Sequence, residues 1–169
     1  MKKGRGRRKG HEFENEVAKM LSSWWGEERS FSRTPLSGGW RRLSGMKEVE
    51  QYVAGDLICP KDFPFVVECK KVEAFQWHSL IFSYDTSLFK QWFTHCSEEA
   101  ESVNKAPFVI FSRNRWGIVG CLSKENYRKL YMKRSAVHMI FEPMGLVFFL
   151  LEDFVKQVVK ENLLAEFNK

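Results

Sequence analysis

Asp56, Glu68 and Lys70 are the residues of this chain whose types and spacing could do chemistry. They lie in two apolar stretches, Gly55-Asp56-Leu57-Ile58-Cys59-Pro60 and Phe65-Val66-Val67-Glu68-Cys69-Lys70-Lys71. Side chains alternate along a strand, so Glu68 and Lys70 project from one face and Val67 and Cys69 from the other. Acids and a lysine on an otherwise apolar strand are costly unless they pair with one another or hold a metal. One reading is a surface strand carrying an ordinary Glu–Lys pair. The other is a carboxylate site for a hard divalent cation, with the lysine as a fixed positive charge beside it, and its chemistry would be metal-assisted hydrolysis.

The elements around these residues bear on that choice. From about Glu12 to Trp25, Phe13, Val17, Leu21 and Trp24 recur at helical spacing and form one apolar stripe, with Gly26 as a stop signal. Glu14 and Glu16 flank the stripe on opposite sides, about 100° and 60° away. Ser30 to Thr34 is a short strand candidate ended by Pro35, and residues 35–54 form a long connection rich in Gly, Ser and basic residues. The strands of Asp56 and Glu68 follow, separated by a turn at Pro60-Lys61-Asp62. After an aromatic stretch, Asp85 is a candidate N-cap for a helix from about Thr86 to Val103, with Leu88, Trp92, Cys96 and Ala100 in line. Residues 107–112 and 116–122 read as a hairpin. A short helical piece at 123–131, a strand at 137–141, an apolar strand from Leu146 and a last helix at 152–167 complete the chain. This order gives an α/β fold with a mixed central sheet flanked by helices.

At 169 residues, 44% hydrophobic and 15% aromatic, the chain is expected to form one folded domain. No apolar run approaches the ~20 residues of a membrane span, so a cytoplasmic protein with no membrane partner is expected. Cys59, Cys69, Cys96 and Cys121 have no CxxC spacing and read as reduced core residues. His11, His78, His95 and His138 are scattered, and none is expected to be a nucleophile or a zinc ligand. Lys2, Lys3, Arg5, Arg7, Arg8 and Lys9 account for the whole net charge of +6. Residues 1–10 are thus expected to be a flexible basic arm that contacts phosphates without reading bases, ahead of a single domain at 11–169. A solubilising tail is the other reading of that arm. Arg33, Arg41 and Arg42 are further candidates for a phosphate backbone.

A helix bearing an acid, then Asp56, then Glu68-Cys69-Lys70, then a helix and two more strands, resembles the PD-(D/E)xK nuclease superfamily, with Gly55 at the motif's proline position. Lys9-Gly10-His11-Glu12-Phe13-Glu14-Asn15-Glu16 before an apolar helix is similar to the opening of archaeal-type Holliday junction resolvases, and Arg33-Thr34-Pro35-Leu36-Ser37 to their strand and serine-bearing loop. The resemblance implies a restriction-endonuclease-like core and a prokaryotic, archaeal or phage-type protein. It further implies a homodimer that cuts four-way DNA junctions in recombination and repair, with magnesium as cofactor, manganese substituting, and 5′-phosphate ends. Asp56, Glu68 and the backbone carbonyl of Cys69 would hold the metal. Glu14 would be the first-helix acid, acting directly or through a metal-bound water, in preference to Glu16. Lys70 would position or deprotonate the attacking water, or stabilise transition-state charge. Ser37 would contact the scissile phosphate. Another nuclease of the same fold acting on duplex or flapped DNA, or a catalytically silent DNA-binding module, are the alternatives.

Overall fold

The computed structural model describes residues 5–35, 54–132 and 138–167. A long first helix, α1 (Arg5–Trp25), leads into a two-stranded antiparallel ribbon of β1 (Ser32–Arg33) and β2 (Leu57–Ile58), which pairs Ser32 with Ile58 and Arg33 with Leu57. Next come β3 (Phe65–Val72), α2 (Trp77–Phe82), a 3-10 turn at Tyr84–Thr86, α3 (Leu88–Ser102), β4 (Ala106–Arg113), β5 (Ile118–Ser123) and α4 (Lys124–Arg128). The chain ends with β6 (His138–Phe141), a 3-10 turn at Glu142–Met144, β7 (Leu146–Leu150), α5 (Leu151–Gln157) and α6 (Lys160–Phe167).

Strands β3 to β7 form one mixed sheet in the order β3-β4-β5-β7-β6. β3 and β4 run parallel, joined by the crossover through α2 and α3, and the remaining pairs are antiparallel. Alternation along β3 and β4 divides the core into two layers. Phe65, Val67, Cys69, Phe108 and Ile110 pack with Phe13, Val17 and Leu21 of α1 and with Phe154 of α5. Val66, Val109 and Phe111 pack on the other face with Phe89, Trp92, Cys96 and Ala100 of α3. Glu68 and Lys70 share their parity with Val66, so they face α3. β3 is an edge strand of the sheet, and its free edge is where the candidate site is built.

Several boundaries differ from the sequence reading for identifiable reasons. α1 starts at Arg5, so the second half of the expected flexible arm is helical. Its buried face is Phe13, Glu14, Val17, Ala18, Leu21, Ser22 and Trp25, rotated towards Glu14 relative to the expected stripe. Trp24 is only half-buried and its indole N–H donates to the Val158 carbonyl at 2.7 Å. That contact accompanies the break that divides the expected last helix into α5 and α6, where Val158 turns extended and enters the core. Ser87, not Asp85, caps α3, its hydroxyl accepting from the Lys90 N–H at 3.1 Å. Starting the helix there buries Phe89 and leaves Leu88 exposed.

Candidate active site

Asp56 completes the free edge of β3. Its N–H donates to the Val67 carbonyl at 2.8 Å, and its Oδ2 accepts the Cys69 N–H at 2.8 Å, so a carboxylate stands in for the next carbonyl of a missing neighbour strand. Because a residue's N–H and C=O leave a strand on the same edge, the Cys69 carbonyl also opens towards Asp56. The segment is anchored from the other side by β1. Thr34 N–H donates to the Asp56 carbonyl at 2.9 Å, and Thr34 Oγ1 donates to the Gly55 carbonyl at 3.2 Å. On α3, Glu99 Oε2 accepts the Gly55 N–H at 2.8 Å. Three elements therefore fix where one aspartate points.

Lys70 Nζ lies 3.4 Å from Asp56 Oδ2 and pairs with Glu68 Oε1. Glu14 reaches the same cluster from α1, where Arg33 lies 3.8 Å from its Oε2. Glu14, Asp56 and Glu68 are all buried, so three acids share one lysine and a more distant arginine. The charge imbalance appears in their acidities. Burial, and then Asp56, raise Glu14 above its ordinary value, with Arg33 and Lys70 opposing. Burial and Asp56 push Glu68 up to about 7 despite the Lys70 contact. Burial alone would lower Lys70, but Asp56 and Glu68 outweigh it and hold the ammonium above its usual value.

These residues fit a divalent cation. Glu14 Oε2 is buried without a hydrogen-bond partner, and the neighbouring acids are under-compensated, which is the state of a site built for an additional positive charge. Asp56, Glu68, the Cys69 carbonyl and Glu14 would hold it.

The metal-free protein carries a pH signature of this arrangement. Because the folded-state pKa of Glu68 is raised from 4.5 to about 7, the folded state binds the extra proton between those values. The stability that this proton contributes is full below about pH 4.5 and is lost as pH rises through about 7. Denaturant unfolding in a chelator is expected to show this decline, and Glu68→Gln is expected to flatten it. An unchanged slope in that variant would show that Glu68 is not the group responsible.

The other sequence-predicted residues are distributed unevenly. Glu16 is solvent-exposed on the far side of α1. Arg33 is half-buried and directed at Glu14, not free in solvent. Arg5 opens α1; Arg7 and Arg8 are exposed in its first turns, Arg8 pairing with Glu12 at 3.4 Å, and Lys9 pairs with Glu73 at 3.3 Å. Lys2, Lys3, Ser37, Arg41 and Arg42 lie outside the described residues. All four cysteines are free, and burial raises every thiol, Cys59 to about 12, as expected of inert core residues.

Sequence reasoning missed His95 and Glu99. His95 Nδ1 stands 3.9 Å from Glu68 Oε1, and His95 Nε2 stands 3.9 Å from Glu99 Oε1. The sequence singles out no histidine, yet α3 lies over the Glu68 face of β3 and brings His95 beside the acids. A signal was present: His95 and Glu99 are four residues apart, on one helix face directly beside the buried stripe of Cys96 and Ala100.

Among the described residues no helix is long and apolar enough to cross a membrane. No solved structure matches the chain. It is 25% identical to "Protein D14" of Escherichia phage T5 over 164 residues, covering 94% of this chain and 96% of that protein. The family described as "Phage putative PDDEXK endonuclease" matches residues 5–165, a span that includes Glu14, Asp56, Glu68 and Lys70 and the mixed sheet that carries them. With its acids and lysine gathered at one strand edge, the chain belongs to that PDDEXK endonuclease family.

Proposed function

We propose that this protein is a magnesium-dependent DNA endonuclease that cleaves four-way junctions. The observation that carries the nuclease reading is the gathering of Glu14, Asp56, Glu68 and Lys70 around the free edge of β3, with one buried carboxylate oxygen lacking a hydrogen bond. Magnesium bound there supplies neutralisation of charge at the scissile phosphate and acidifies water, and manganese is expected to substitute.

The chain's own residues do the positioning. Asp56 is pre-set by the Val67 carbonyl and the Cys69 N–H, so its carboxylate needs no reorganisation to act as a ligand. Lys70 is held charged by its two carboxylates, which suits it to stabilise negative charge in the transition state better than to remove a proton from water. Glu14, the helix acid, is the group that can accept a proton or hold a water, since burial already raises its affinity for one.

Substrate binding is assigned to the basic end of the same helix. With a rise of 1.5 Å per residue, Lys9 stands roughly 7.5 Å along the axis from Glu14, so Arg7, Arg8 and Lys9 form a cationic lead-in to the acids. Phosphate contacts of this kind position a duplex without reading its sequence. A four-way junction requires two symmetric cuts, which a homodimer would provide through two such sites.

A panel of junction, duplex, flap and single-stranded DNA, each with and without magnesium, tests both parts. Metal-dependent cleavage with preference for the junction is expected. Preference for duplex or flap would overturn the junction assignment alone, and no cleavage of any substrate with magnesium or manganese would overturn the nuclease.

A further inference from the structure

We propose that His95, Glu99 and Glu68 form a second metal site, chemically distinct from the carboxylate cluster, that takes a borderline divalent cation such as zinc. One ligand atom from each of the three lies within 4.8 Å of the others. The two separations from the imidazole, 3.9 Å to Glu68 Oε1 and 3.9 Å to Glu99 Oε1, are too long for hydrogen bonds. They start from opposite ring nitrogens, Nδ1 towards Glu68 and Nε2 towards Glu99, and one ion takes only one of the two. One nitrogen and the two carboxylates lie within 4.8 Å of one another, so side-chain rotations would bring them to the roughly 3.4 Å spacing of ligands that sit about 2.0–2.2 Å from one zinc ion.

Each member is held differently. Glu68 is fixed in the floor by its strand. Glu99 is fixed because Oε2 accepts the Gly55 N–H at 2.8 Å, which directs Oε1 to the imidazole side. His95, with its side chain 58% exposed, forms the open rim through which an ion could arrive. Three protein ligands with solvent above them leave a fourth tetrahedral position for water. An imidazole in the set disfavours magnesium, which prefers oxygen ligands alone, and favours zinc or its neighbours in the transition series.

Glu68 belongs to both sites, so occupation has a consequence. An ion drawn to His95 and Glu99 pulls the Glu68 carboxylate from Lys70 and from the Asp56 side. Zinc would therefore oppose magnesium-supported cleavage by competing for one shared ligand. The zinc site itself does not depend on the nuclease reading, since it is defined by metal affinity.

Calorimetry with zinc and visible absorption with cobalt, on the full chain, test it in the Asp56→Asn background, which removes a ligand of the carboxylate cluster only. That protein is expected to bind one zinc ion, and His95→Ala added to it is expected to weaken binding at least about tenfold and to change the cobalt spectrum. Since His95 is largely exposed, its loss is not expected to affect folding, which a thermal melt verifies. Equal zinc affinity with and without His95, or no zinc binding by Asp56→Asn, would overturn the site. Zinc inhibition of cleavage in otherwise wild-type protein, relieved by His95→Ala, supports the competition; inhibition unchanged by that substitution removes it.

Discussion

Asp56→Asn is expected to abolish cleavage, by about 10³-fold or more or roughly 4 kcal/mol of transition-state stabilisation, while leaving the metal-free fold at least as stable as the wild type. The two effects have the same source. Asp56 is the second cause, after burial, of the raised proton affinities of both Glu14 and Glu68. Neutralising it relieves that repulsion, and the asparagine carbonyl can still accept the Cys69 N–H that Asp56 takes at 2.8 Å. Lys70→Ala is expected to be as inactive but to shift stability the other way, since it leaves the buried Asp56 and Glu68 without their nearest cation. Cleavage assays paired with denaturant unfolding at pH 8 in chelator separate the two variants. Wild-type cleavage by either would remove that residue from the chemistry. Equal destabilisation by both would show that the cluster is a structural ion-pair network and not a site held under charge strain for function.

The parts of the site carried by local pattern were legible in the sequence. Period-two alternation placed Glu68 and Lys70 on one face of β3, whereas the apolar stripe left Glu14 about 100° to one side and only the family resemblance favoured it over Glu16. The structure adds a physical reason, since the small residues Ala18 and Ser22 let α1 roll towards Glu14 and leave Glu16 in solvent. The mixed sheet also followed from element order, because the helical crossover between β3 and β4 requires a parallel pair there. What the pattern could not supply was contact between distant segments. Nothing local says that Asp56 will cap an edge strand through the Val67 carbonyl, or that the α3 residues His95 and Glu99 will lie over Glu68. The same limit explains the break before α6: Val158 leaves the helix where its carbonyl meets an indole N–H 134 residues earlier in the chain.

Gly55→Ala is expected to destabilise the protein by about 2–5 kcal/mol and to reduce cleavage strongly, although it removes no polar group. Gly55 has φ +81, where an alanine costs roughly 1–2 kcal/mol. A Cβ there would also lie 2.5 Å from the Val67 carbonyl oxygen and 2.8 Å from a Val66 methyl, an overlap of the kind that costs about 1–3 kcal/mol. Gly145 separates the two contributions, since it has φ +59 but nothing within 4 Å of the position of a Cβ. Gly145→Ala should therefore show only the conformational part. The functional loss follows from what the overlap moves. The Val67 carbonyl is the acceptor that sets Asp56, so displacing it swings the carboxylate away from the Cys69 N–H and Lys70. The same geometry accounts for glycine at the motif's proline position. Proline is fixed near φ −65° and has no N–H, so it could adopt neither this turn nor the 2.8 Å bond to Glu99. Unfolding and cleavage measured on both glycine variants decide the matter. Should Gly55→Ala prove no more destabilising than Gly145→Ala, the close approach to β3 would not be what positions Asp56.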